Sequence, residues 1–113
     1  MEEHSFKFES SVWRWDSDKA SWFFLTLPLP VAEHVRFLFP RRRGFGSIPV
    51  TVQIVASQWK TSIFPNKKSG SFILPIKAAI RSAERFGEGD LVEVCLTISH
   101  RELELITSGQ IYI

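Results

Sequence analysis

Apolar and polar residues alternate over much of this chain, and breaks in that alternation divide it into short strands. Phe6-Lys7-Phe8-Glu9 has the period-2 pattern of a half-buried strand. Val12-Trp13-Arg14-Trp15 continues it with the phase shifted around Ser10-Ser11, which predicts a bulge there. Asp16-Ser17-Asp18-Lys19 is turn chemistry. Trp22 to Leu27 is an aromatic-rich strand closed by Pro28. Pro30 is suited to the first turn of a helix, where its missing N–H has no partner to lose. Val31, Val35 and Leu38 would form that helix's inner face, and Pro40 ends it. Ile48, Val50, Val52 and Ile54 alternate with Pro49, Thr51 and Gln53 in the clearest strand of the chain. Pro49 cannot donate a ladder bond, so it belongs at the strand start or on an edge.

The second half repeats these signals. Gln58 to Phe64 is a strand ended by Pro65-Asn66, and Asn66 to Gly70 reads as a hairpin loop. Ser71 to Leu74 is a strand, and Pro75 opens a second helix with Ile76, Ile80 and Ala83 on its buried face. Gly87-Glu88-Gly89-Asp90 is a turn before a β-branched strand, Leu91 to Ile98. Glu102 to Ile106 reads as one further strand. A strand ending in Leu-Pro, a short amphipathic helix, a glycine turn and a strand thus occur twice, once from Leu27-Pro28 and once from Leu74-Pro75. Each unit alone buries one face poorly, whereas two packed about a pseudo-twofold axis close a common core and remove exposed strand edges.

Composition sharpens this picture. The 113 residues fit one domain, with a barrel core over about 6–98 and a tail over 99–113. A hydrophobic fraction of 44% suffices for a real core and argues against disorder. The ten Phe and four Trp bury much area per residue, which lets a small domain close its interior. Cys95 is the single cysteine, so no internal disulfide forms, and a lone thiol fits a reducing, cytoplasmic setting. Met1-Glu2-Glu3-His4 has neither signal-peptide nor transit-peptide character. The longest apolar run, Trp22 to Leu27, is too short to span a bilayer, so no membrane partner is expected.

Two sets of motifs carry a family likeness. Gly70-Ser71-Phe72-Ile73-Leu74-Pro75-Ile76, followed by Gly89-Asp90-Leu91-Val92-Glu93-Val94, resembles the swapped-hairpin half-barrel of AbrB, MazE and MraZ-like proteins, regulators that assemble the barrel from two chains. Gly44-Phe45-Gly46, Trp59 to Pro65, Leu74-Pro75-Ile76-Lys77 and Ile80-Arg81 together resemble a bacterial domain-of-unknown-function family, numbered nineteen-oh-five, over about Phe6 to Ile98. The resemblance implies a mainly β fold, a double-split β-barrel formed within one chain by duplication, with two short helices. It implies no biochemical activity. A monomer able to fold is expected, with a weak dimer as the alternative.

Candidate chemistry is sparse. His4, His34 and His100 stand apart in a tail, a helix and a strand end, with no His-x-x-x-His or Cys-x-x-Cys spacing. Gly44-Phe45-Gly46 and Gly87-Glu88-Gly89 precede strands, where phosphate loops precede helices. Cys95 lacks an identifiable base. An enzyme is not expected, and no cofactor or metal is called for. Lys77 and Arg81 are four apart and share one helix face, where they could hold a carboxylate or phosphate. Trp22 and Trp59 could flank a cleft, and the candidate ligand contacts are Trp59, Ser62, Lys77 and Arg81. The structural alternative pairs Arg81 with Asp90 or Glu93, and Asp90 reads more simply as a turn residue. The leading expectation is a non-enzymatic binding module for an anionic small molecule or peptide. The alternative is nucleic-acid binding. Nine of the fourteen basic residues lie between Arg41 and Arg85, and Arg41, Arg42, Arg43, Lys67 and Lys68 are the candidates to neutralise phosphates.

Overall fold

The structure, a computed structural model, describes residues 3–40 and 46–99. Strands β1 (Glu3–Ser11), β2 (Trp13–Asp16) and β3 (Ser21–Thr26) precede helix α1 (Leu29–Leu38). Strands β4 (Ile48–Ile54), β5 (Ser57–Asn66) and β6 (Ser71–Pro75) follow, then helix α2 (Ala78–Glu84) and strand β7 (Leu91–Ser99). The fold is mainly β, a curled seven-stranded antiparallel sheet in the order β1-β7-β4-β5-β6-β3-β2.

The curl follows from two stretches of chain that change partner along their length. Strand β5 pairs with β4 from Ser57 to Ile63 and with β6 from Phe64 to Asn66. The β1–β2 stretch does the same at the ends of the strand order. Ser11 closes the ladder with β7 opposite Leu91, and Trp13 opens the ladder with β3 opposite Phe24. Val12, between them, is buried. Its N–H donates to the Asp90 carbonyl at 2.9 Å, and its carbonyl accepts from the Gly89 N–H at 2.8 Å. Across this seam the Ser10 hydroxyl donates to the Thr26 carbonyl, and Trp13 Nε1 donates to Thr26 Oγ1, both at 2.8 Å.

The bulge expected at Ser10-Ser11 is therefore replaced by an exchange of partner at Val12. The inward phase never shifts: Phe6, Phe8 and Val12 are buried on one parity. Trp13 and Trp15 lie on the other parity and face outward, half-buried and exposed, so the aromatic side chains that suggested a shift are not core residues.

The concave face holds the core. Leu25, Ile48, Val50, Val52, Ile54, Ile63, Leu74, Leu96 and Ile98 are all essentially inaccessible to solvent. Helix α1 covers this core with Ala32 and Val35, while Val31 and Leu38 pack from its margin. Its first turn contains Pro30, as expected, and it stops at Leu38. Pro49 is tolerated inside the sheet because β4 pairs with β7 only over Thr51–Gln53, so its missing N–H falls outside that ladder.

Helix α2 departs from expectation. Pro75 ends β6, opposite Phe24, and the helix starts at Ala78. Ile76 is buried before the helix begins, with its N–H bonded to the Phe23 carbonyl at 2.8 Å, and Ala83 is exposed. A seven-residue helix has room for one buried anchor, and Ile80 is it. The hairpin expected at Asn66–Gly70 is present. The Gly70 N–H reaches the Asn66 carbonyl at 2.9 Å, and Gly70 has the positive φ of 73° that glycine adopts without strain. His4 lies in β1 rather than in a tail. The further strand expected at Glu102 to Ile106 falls outside the described residues, and among those described no helix is long and apolar enough to cross a membrane.

Candidate functional site

The start of β3, the middle of β5 and the junction of β6 with α2 meet around a cleft of ≈ 360 Å³. That volume lies toward the lower end of the range of about 300–1,000 Å³ usual for small-molecule sites. Three strand-derived aromatic residues, Trp22, Phe23 and Trp59, line it together with Lys60, Lys77 and Arg81.

Each cation is placed by local structure. Lys77 is the residue before α2, with extended backbone, and its carbonyl accepts the N–H groups of Ile80 and Arg81 at 3.1 and 3.2 Å. That first turn brings Lys77 and Arg81 within one turn of each other, and both line the cleft. Arg81 is half-buried and doubly held. Its guanidinium carbon stands 3.6 Å from the Phe23 ring centroid, and its Nε donates to the Ile76 carbonyl at 3.4 Å. Among the described residues no carboxylate forms an ion pair with Lys77 or Arg81.

The expected pairing of Arg81 with Asp90 or Glu93 is not what holds it. Asp90 Oδ2 instead accepts the Gly87 N–H at 2.8 Å, closing the turn before β7, as a turn residue does. Glu93 lies on β7 opposite Glu9 of β1. Glu84, the acidic residue nearest to Arg81 along α2, accepts the Ser57 hydroxyl at 2.7 Å.

The aromatic walls differ in character. Trp59 is half-buried and packs against the core. Trp22 is 51% exposed and pairs across the β2–β3 hairpin with Trp15, itself 53% exposed. Beside them Trp13 and Phe24 pack with ring centroids 4.8 Å apart. The hairpin thus presents an outward aromatic face whose Trp22 end borders the cleft.

Trp59, Lys77 and Arg81, singled out from sequence, come together at this cleft, and Trp22 joins them. Ser62 does not line it. It shares a strand face with Lys60 and Phe64, and it lies further along β5 than Trp59, Lys60 and Thr61, the residues of that strand that line the cleft. Lys67 and Lys68 are exposed at the tip of the β5–β6 hairpin and do not line the cleft. Arg41, Arg42 and Arg43 lie outside the described residues. Phe23 and the Ile76 carbonyl, which orient Arg81, were not legible in the sequence. Both are contacts between α2 and the chain leading into it or a distant strand, and no spacing rule announces them.

His4 and His34 pack edge-on against Phe39 and Phe6, at 5.6 and 5.3 Å between ring centroids, as parts of the α1 interface. Among the described residues no cluster of three or more His, Cys, Asp or Glu could hold a metal ion. Cys95 is half-buried on β7.

Residues 8–96 match the family described as Domain of unknown function (DUF1905). The chain belongs to this family. The match runs from the middle of β1 to near the end of β7, so this DUF1905 domain contains the whole cleft. No curated protein matches the chain.

Proposed function

We propose that this DUF1905 domain is a non-enzymatic binding module that takes a small anionic molecule in the cleft between β3, β5 and α2. The observation that carries this reading is the pair Lys77 and Arg81: two cations lining one concave, aromatic-walled site, with no carboxylate neutralising them among the described residues. A guanidinium already clamped in place loses little conformational freedom on meeting an anion, so more of the interaction appears as affinity. Titration with inorganic phosphate and with acetate, followed by the backbone amide signals of residues 76–81, tests it. Saturable shifts confined to the cleft and abolished in Lys77→Ala/Arg81→Ala are expected. Shifts that persist in the double variant would sink the assignment.

The architecture behind this site is proposed to be a double-split barrel built by duplication within one chain, related to the swapped-hairpin regulators. Strand pairing supports it. Like pairs with like across the proposed axis, β3 with β6 and β4 with β7. The partner change within β5 has its counterpart in the passage from β1 to β2. A fold completed in this way needs no second chain, and a monomer is the expected species in light scattering.

A further inference from the structure

We propose that the ligand of this cleft is an aromatic carboxylate: one or two fused rings bearing a single carboxyl group. The inference rests on the anion-binding reading above and specifies its chemistry. Arg81 has one face of its guanidinium against Phe23 and its Nε committed to the Ile76 carbonyl. The two terminal Nη groups remain as donors, and such a pair matches the two oxygens of a carboxylate bidentately. Lys77, one turn away, adds a compact charge that any anion would feel, so the geometric selection comes from Arg81.

The rest of the cleft selects the ligand's body. Trp59 is half-buried and held by the core, and Trp22 lies at the cleft with half its surface exposed. Indoles favour flat partners, offset-stacked or edge-on, over puckered aliphatic ones. Pro75, Ile76 and Ala78 add apolar lining, beside the polar Ser21, Lys60 and Thr61. With ≈ 360 Å³ available, the space suits one small ring system.

The test is calorimetric titration of the whole chain with benzoate, cyclohexanecarboxylate, benzamide and inorganic phosphate. Benzoate is expected to bind at least about tenfold more tightly than each of the other three, a difference of about 1.4 kcal/mol. Arg81→Lys, which keeps the charge and removes the fork, is expected to weaken benzoate about tenfold, with Lys7→Ala as the unaffected control. Should Arg81→Lys unfold, the Nε resonance of Arg81 in the unaltered protein replaces it, and it must shift on adding benzoate. Equal binding of benzoate and cyclohexanecarboxylate, or tighter phosphate, overturns the aromatic carboxylate and leaves the anion site standing. Equal binding of benzamide, or no binding of any of the four at millimolar concentration, overturns both.

Discussion

The guanidinium carbon of Arg81 in α2 stands 3.6 Å from the centroid of the Phe23 ring in β3, closer than the cation–π contact of Arg36 with Phe72 at 5.6 Å. This contact ties the short second helix to the sheet at the mouth of the cleft, and it makes Phe23 a positioning residue for the cation beside it.

Phe23→Leu keeps most of the apolar volume and removes the ring. A coupling of about 0.5–2 kcal/mol between Phe23 and Arg81 is expected, the range for partly desolvated cation–π pairs. A double-mutant cycle of Phe23→Leu with Arg81→Ala, read by urea unfolding, measures it. Additive losses would mean that the stacking contributes nothing beyond area. Anion affinity in Phe23→Leu is expected to fall although the charge is intact, since the guanidinium is then held by the Ile76 carbonyl alone.

Ser71→Ala probes the polar interior. Ser71 is 1% exposed, and its hydroxyl donates to the Leu27 carbonyl at 2.7 Å, joining β6 to the chain entering α1. Removing the donor leaves a buried carbonyl without this partner, which costs about 1–3 kcal/mol. The loss is expected in the denaturation midpoint with an unchanged m-value.

Much of this fold is written in the sequence, because its strands obey period 2 and are punctuated by Pro and Gly. Leu74-Pro75 ends a strand, Asn66–Gly70 makes a hairpin, and Pro30 opens a helix, all for local reasons. What was not legible depends on which face of a strand meets the core. Trp13 and Trp15 look like core residues by type and face outward, because Phe6, Phe8 and Val12 on the other parity already fill the interior. Likewise, the spacing of Lys77 and Arg81 announces a shared face, yet neither Phe23 nor the Ile76 carbonyl could be matched to Arg81 before β3 and α2 were docked. Ser62 lies apart for a different reason: of β5 the cleft takes only Trp59, Lys60 and Thr61, and Ser62 follows them along the strand.

Val55→Asn is expected to stabilise the protein. Val55 sits in the two-residue turn between β4 and β5 with φ of 53°, in the left-handed region that β-branched residues disfavour, and it is 75% exposed. Asparagine tolerates that conformation and suits such turns, so a gain of about 1 kcal/mol follows. The melting temperature should rise by several degrees. A fall would show that the Val55 side chain makes a compensating contact.

Thr26→Val tests the seam that curls the sheet. Thr26 accepts two bonds from the stretch that joins the ends of the strand order, from the Ser10 hydroxyl at its carbonyl and from Trp13 Nε1 at its own hydroxyl. Valine preserves the shape and the first bond but leaves the half-buried indole N–H without its acceptor, at a cost of about 1–3 kcal/mol if water does not replace it. Trp13→Phe removes the donor instead. The combination should cost less than the sum of the two, because with neither partner present no polar group is stranded. Circular dichroism through urea unfolding of the four species measures this coupling. A coupling near zero would assign the closure to the backbone bonds of Val12 with Gly89 and Asp90 alone, which neither side-chain change touches.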